Sequence, residues 1–371
     1  MSLENHKFTR RDVLKGAAAI AVTSALINDS MPEKLEKKTP LTAIEQRFSS
    51  RMEIGGNLTN TIDILPDKLS DKPAMIVAPG FNASIHTNAL MLEQLASDRR
   101  VLSLDHPHAG RDIRAMDADE WQRVAKYPFT ELRKASNLLD LIETKGINEK
   151  IDCFAFSEGA LNAVLAAYMH PEKFNSLVLS APAGLIGEDS LWSLAGMRDP
   201  EQRGLLQRFS TQGATDDTIG MPSIDNFHSQ FPELAAEEKR VRDYIAEVWK
   251  EDEATAKRHP IATIEDAWAI AHMRIDDMIA FIRAAGVKVA VLSGIDDQVF
   301  PHSKMAGTMD EATGKITPGT LHTGQLDGYM TTVGAHGPHY SARIVGHLFD
   351  MLGAKRKKEE AEQERAATQP H

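Results

Sequence analysis

Three residue types that together can activate a hydroxyl stand far apart in this chain, each just past an apolar run. Ser157 closes Ile151-Asp152-Cys153-Phe154-Ala155-Phe156 and precedes Glu158-Gly159-Ala160. Asp296 and Asp297 follow Val287-Lys288-Val289-Ala290-Val291-Leu292-Ser293-Gly294, and His336 and His339 follow Gly328 to Val333. A serine hydroxyl is a poor nucleophile at neutral pH, so it needs a base to take its proton and a third group to hold that base. Serine, acid and histidine in that order would supply the set, and the chemistry would be nucleophilic attack through a covalent intermediate. The small residues Ala155, Gly159 and Ala160 let a strand turn sharply into a helix with the hydroxyl at the apex. The plainer alternative is a serine that merely caps the helix.

The elements that must position these groups follow from the hydrophobic pattern. Ala74 to Ala78 is a continuous apolar run, as expected of a strand buried on both faces, and Val101 to Leu104, Ile151 to Phe156 and Phe174 to Ser180 read as further strands. Helical stretches over Asn88 to Ser97, Phe129 to Lys145 and Ala160 to Met169 separate them. Strand and helix therefore alternate between residues 74 and 184, which predicts an α/β fold with a mostly parallel sheet and helices on both faces. Ligands in such sheets bind beyond the carboxyl ends of the strands. The clusters Pro79-Gly80-Phe81-Asn82, Asp105 to Asp112, Ser157 to Gly159 and Ala181 to Gly184 all fall at such ends.

Ahead of this region, Arg47 to Ile54 and Asn57 to Leu65 read as two strands joined at Gly55-Gly56. Residues 185–286 lose the alternation and read as a helical cap inserted into the sheet domain, although the last helix, Met273 to Ala285, could flank the sheet instead. The core then spans 41–184 and 287–353, with a polar connection at 302–327 and a charged, solvated tail at 354–371. Trp192 and Phe227, inside the cap, fit core packing better than substrate contact.

At the N-terminus, Thr9-Arg10-Arg11-Asp12-Val13-Leu14-Lys15 and the mildly apolar Ala17 to Ile27 resemble a twin-arginine export signal over residues 1–30, followed by a linker at 31–40. Val13 stands where Phe is usual. The expectation is export to the periplasm or beyond, with the twin-arginine machinery as a partner; replacing Arg10 and Arg11 by Lys should leave precursor inside the cell, and unchanged secretion would refute it. The alternative is a cytoplasmic protein whose translation starts at Met31.

Composition narrows the function classes. The 371 residues carry a net charge of -11, which opposes binding to nucleic acid. No stretch is apolar for long enough to be a secure membrane span. Cys153 is the single cysteine, so neither an intrachain disulfide nor a cysteine metal cage can form. His106-Pro107-His108 with Asp112 offers metal-ligand types, but Asp105-x-Pro-x-x-Gly110 fits a strand-end loop better.

Taken with the order Ser, Asp, His, four stations carry a resemblance: Ala78-Pro79-Gly80-Phe81, Asp105 to Gly110, Ala155 to Gly159, and Gly294 to Pro301 with His336. Residues 41–352 resemble an α/β-hydrolase-fold protein, an eight-stranded mostly parallel sheet with a cap after the sixth strand. The resemblance implies Ser157 as nucleophile, His336 as general base and then acid, and Asp297 as the group that orients His336. It implies an oxyanion hole from the backbone N–H groups of Phe81 and Glu158, and no cofactor or metal. His339 and Asp296 remain rivals of His336 and Asp297. Ala155 stands for the usual first glycine of the elbow, and Pro79 for a frequent histidine. The carboxyl of Glu158 would oppose an oxyanion unless it points away. Implied is cleavage of a carboxylic ester or related acyl bond in a small-molecule substrate. C–C bond, amide or peracid chemistry on the same triad, and a non-catalytic ligand-binding scaffold, are the alternatives. Serine at the elbow argues against the epoxide hydrolases and haloalkane dehalogenases of this fold, which use a carboxylate nucleophile.

Overall fold

The computed structural model describes residues 41–66, 70–81, 83–106, 118–186, 240, 244, 248, 260–294, 297, 300, 305, 307–309, 316–318, 326–332 and 342–368. The signal-like segment, the linker, Asp296, His336, His339, His108, Asp112, Trp192, Phe227 and most of the expected cap lie outside them.

The strands are β1 (Ser49–Ile54), β2 (Asn57–Ile64), β3 (Met75–Ala78), β4 (Val101–Leu104), β5 (Ile151–Phe156), β6 (Phe174–Ser180), β7 (Lys288–Gly294), β8 (Gly307–Met309), β9 (Ile316–Pro318) and β10 (Gly328–Thr332). Eight of them form one sheet in the order β1-β2-β4-β3-β5-β6-β7-β10. Only β2 runs against its neighbours β1 and β4; the other adjacent pairs are parallel. The expected fold class is therefore the observed one. Register brings the strand ends level: Ala78 pairs with Ala155, Phe156 with Ser180, Ser180 with Leu292, and Gly294 with Thr332.

The described helices are α1 (Ala43–Phe48), α2 (Ile85–Leu95), α3 (Ala118–Val124), α4 (Phe129–Thr144), α5 (Gly159–Met169), α6 (Pro260–His272), α7 (Asp276–Ala284) and α8 (Ala342–Thr368). Successive strand residues face opposite sides of a sheet. Accordingly Ile76, Cys153, Ala155, Leu177, Leu179 and Val291 pack with residues of α4 to α7 on one face. Met75, Val77, Phe154, Val178 and Leu292 pack with α2 and α8 on the other. This two-sided cover is why β3 and β4 are buried at every position. Cys153 is fully buried, and desolvation pushes its thiol up, which fits a packing role.

Several expectations are corrected. Arg47 and Phe48 end a helix rather than begin a strand, because Thr42 and Glu45 form a reciprocal capping box that starts α1 at Ala43. The connection at 302–327 holds a small antiparallel ladder, β8 with β9. The last helix of the expected cap begins at Asp276 rather than Met273: α6 and α7 are separated at Met273–Ile275, and residues of both belong to the buried cluster on one face of the sheet. The tail does not leave the fold at residue 354: α8 continues to Thr368, with Lys288 paired to Glu359 and Lys355 Nζ 3.0 Å from Asp327 Oδ1. The pairs Arg356–Glu360 and Lys358–Glu362 lie along the helix at i,i+4 spacing, the second well exposed on both sides, so the tail is a helix that is partly docked and partly solvated.

Asp327 is the pin of this end of the molecule. Its carboxyl accepts from Arg283 Nε at 2.9 Å, from the Val289 N–H at 3.0 Å and from Lys355, so it ties α7, β7 and α8 together. Burial alone would raise its pKa, but Arg283, the Val289 N–H and Lys355 hold it down to about 2, against an ordinary 3.8. A depressed carboxyl stabilises the fold above its unfolded value and loses that contribution as pH falls through its folded value. Asp327→Asn is therefore expected to lose about 1 kcal/mol near neutral pH, a discounted figure because Arg283 and Lys355 are partly in water. In urea titrations the gap between the two proteins should stay constant from about pH 7 to 5 and close between about 4 and 2. A gap that did not narrow in acid would refute the pin.

Candidate active site

The turn between β5 and α5 has the geometry its small residues suggest. Ser157 has φ 53°, in the left-handed region where a non-glycine residue is strained by roughly 1–3 kcal/mol. Three backbone bonds impose it: the Ser157 N–H donates to Ser180 O at 2.9 Å, and Ser157 O accepts from the N–H groups of Ala160 and Ala183, both at 3.1 Å. A side chain at Gly159 has no room, since a Cβ there would lie 2.4 Å from Ala78 O and 2.7 Å from Pro79 O. At Gly80 a Cβ would come within 2.9 Å of Phe156 Cδ1. The elbow and the Pro79-Gly80-Phe81 loop are thus packed backbone to backbone. Ala155 is fully buried between Ala78 and Leu179, so the methyl group that replaces the usual glycine is accommodated. Ser157 itself is 6% exposed.

The two backbone donors implied by the resemblance are adjacent to this turn. Among the described residues, neither the Glu158 N–H nor the Phe81 N–H donates to a backbone carbonyl outside the regular elements. The Glu158 N–H also opens α5, whose N-terminus carries a partial positive charge. The loop after β4 is held by Asp105, which accepts from the Ile85 N–H at 2.6 Å and from Asn60 Nδ2 at 2.8 Å.

Asp297 lies just past β7, two strands across from Ser157 and on the same edge of the sheet. At the usual strand spacing that is roughly 10 Å at the backbone. Its side chain is 2% exposed, and its Oδ1 accepts from the Phe300 N–H at 2.9 Å, which fixes the loop. Burial, and then the nearby Asp297 carboxylate, push the Tyr329 phenol up to about 12, so Tyr329 on β10 stays neutral beside the acid. β10 ends at Thr332, next to Gly294 at the end of β7, four residues before His336. The structure therefore brings Ser157, Phe81, Glu158, Asp297 and the last residue of β10, Thr332, to one edge.

One group of residues was not visible as a unit in the sequence. The carboxyl of Glu158 contacts the ammonium of Lys134 on α4. Lys134 Nζ also lies 2.8 Å from Asp266 Oδ1 on α6, out of hydrogen-bond alignment, and 3.6 Å from Glu131 Oε1. All four side chains are nearly or fully buried, at 7% exposure or less. Burial, then the charge of Asp266, raises the Glu158 carboxyl well above its usual range, and burial likewise raises Glu131. Burial alone would disfavour the Lys134 ammonium, but Asp266, Glu158 and Glu131 push its pKa up, so it remains charged. Glu131 and Lys134 stand at i,i+3 on α4, a spacing that on an exposed helix face would make a solvated pair. The available signal was Glu158 itself, a carboxyl between a tight turn and a buried helix, which had to find a cation.

Comparison with known proteins places the chain. Residues 73–329, well over half of it, match the family described as alpha/beta hydrolase fold, and the chain belongs to that family. Among solved structures it is similar to the lip1 protein of Acinetobacter baumannii AYE, at 14% identity and TM-score 0.53, covering 87% of this chain and 99% of that one. It is also similar to a bacterial membrane phospholipase A, at 15% identity and TM-score 0.50 over 92% and 96% of the two chains. The enol-lactonase from Burkholderia xenovorans LB400 aligns at 16% identity and TM-score 0.49 over 82% and 100%. At such identities these likenesses concern the fold alone. No curated protein matches the sequence.

Proposed function

We propose that the chain is a serine hydrolase that cleaves a carboxylic ester, or a related acyl bond, through an acyl-enzyme on Ser157. The observation that carries this reading is the strained φ of 53° at Ser157, imposed by a turn in which Gly159 has no space for a Cβ. Strain of this kind persists where the surrounding structure enforces it, and it clusters at functional sites. In this reading His336 takes the Ser157 proton as the hydroxyl attacks the carbonyl carbon. The N–H groups of Glu158 and Phe81 receive the developing oxyanion. His336 then protonates the leaving group, the acyl-enzyme forms, and water repeats the sequence in reverse order of roles. Asp297 holds the imidazole and stabilises its charged form. The lactonase, the phospholipase and the family membership are compatible with acyl chemistry but do not choose the substrate.

For residues 1–30 our reading is export by the twin-arginine route, resting on Arg10-Arg11 and the short apolar run after them.

The experiment is labelling with a fluorophosphonate probe followed by peptide mapping. The folded wild-type protein should be modified at Ser157. Folded protein that resists the probe would favour a ligand-binding scaffold instead.

A further inference from the structure

The cluster of Lys134, Glu131, Glu158 and Asp266 has no part in the mechanism just given, yet it touches the residue whose N–H serves the oxyanion. Three carboxyls and one ammonium share a space that excludes water. The carboxyl oxygens lie within 4.8 Å of one another, as ligands of a divalent ion would, but the Lys134 ammonium already stands among them. The ammonium contacts Glu158 and lies 2.8 Å from Asp266 Oδ1 but 3.6 Å from Glu131 Oε1, so it is committed chiefly to Glu158 and Asp266. Three helices meet there: α4 supplies Glu131 and Lys134, α5 begins at Glu158, and α6 brings Asp266.

Resting on the serine-hydrolase reading, we propose that Lys134 is a positioning residue for the oxyanion site: its ammonium anchors the Glu158 carboxyl away from the Ser157 hydroxyl and cancels its charge beside the N–H that receives the oxyanion. An ionised carboxyl a few ångströms from a forming oxyanion opposes it, and in a water-poor site the opposition is strong. Removing the carboxyl would be the simple remedy. Keeping it with a buried counter-ion instead fixes the start of α5 to α4 and α6. Among the described residues the charged groups acting on the Glu158 carboxyl are Lys134, Glu131 and Asp266, so once Lys134 is gone those that remain are acidic.

The test compares wild type, Lys134→Met and Lys134→Met/Glu158→Gln by rates of fluorophosphonate labelling and of p-nitrophenyl butyrate turnover, with circular dichroism to establish folding. At about pH 8.5, Lys134→Met should react about 30- to 100-fold more slowly than wild type, in kcat rather than KM, because the uncompensated carboxylate acts on the transition state. The deficit should be largest at the alkaline end of the range and shrink as pH falls, because burial and the charge of Asp266 favour the protonated Glu158 carboxyl. The double variant should recover to within about threefold of wild type at the higher pH, since a neutral amide cannot oppose the oxyanion. A purely structural role for Lys134 predicts no rescue and no pH dependence. A folded Lys134→Met that reacts like wild type, or a double variant as slow as the single one, would overturn the proposal. If Lys134→Met does not fold, the double variant decides, and its failure to fold or to react would equally overturn it. A wild type labelled at Ser157 alongside an indifferent Lys134→Met leaves the serine mechanism standing and removes only this inference, whereas an unlabelled wild type removes both.

Discussion

Ser157→Ala is expected to keep the fold and to lower p-nitrophenyl ester turnover by about 10⁵- to 10⁶-fold, the loss typical when the nucleophile of an acyl-transfer triad is deleted. Folding should survive because the turn is imposed by backbone: the Ser157 N–H to Ser180 O bond and the two bonds into Ser157 O do not involve the hydroxyl. Alanine at φ 53° carries much the same strain as serine, so the melting temperature should move little. The residual rate should stay above that in water, because in the proposed mechanism the N–H groups of Glu158 and Phe81 would still polarise a bound carbonyl. His336→Ala should cost about as much as Ser157→Ala, since nucleophile and base act as one unit, while His339→Ala should cost less than about tenfold. A Ser157→Ala protein that retained a tenth of its activity would show that another nucleophile does the work, and a reversed order of the two histidine variants would exchange their roles.

Much of this arrangement was legible in the sequence because it rests on patterns the chain cannot hide. Parallel strands covered on both faces are mostly apolar, so β4 and β6 were readable to the residue despite their serines and Asn175. The elbow was readable because Gly159, where a Cβ would meet Ala78 O and Pro79 O, stands two residues after the serine that follows β5. The boundaries that failed did so for local reasons. Thr42 and Glu45 satisfy each other's end of α1, and that bond outweighs the strand character of Arg47 and Phe48. The tail looked solvated because its charges are dense, yet Lys355 and Lys288 use two of those contacts to dock α8. The Lys134 cluster was illegible for a different reason: it joins residues 131, 134, 158 and 266, and no local pattern marks a charge destined for burial. In sequence a buried Glu–Lys pair and a solvated one look alike. Tertiary packing of α6 against α4 separates them.

Asp297→Asn is expected to lower kcat by about 10⁴-fold with little change in stability, the magnitude seen when the orienting acid of a triad becomes an amide. The substitution is nearly isosteric. Its Oδ1 can still accept from the Phe300 N–H, the bond that fixes the loop after β7, so the backbone should stay in place. What changes is the other side-chain atom. A carboxylate accepts the imidazole N–H and stabilises the imidazolium that forms when the base takes the serine proton. An amide nitrogen presents a donor there, favours the wrong tautomer and offers no charge. The loss should therefore fall on the chemical step, with KM nearly unchanged, and should ease at high pH as solvent hydroxide takes over proton removal. Asp296→Asn is the companion measurement. The two acids are adjacent in the chain, and Asp297 is the one whose described side chain is 2% exposed and tied into the loop. If Asp296→Asn were the slow variant and Asp297→Asn retained most of its rate, Asp297 would be the residue that merely builds the turn, and Asp296 would take over the orienting role.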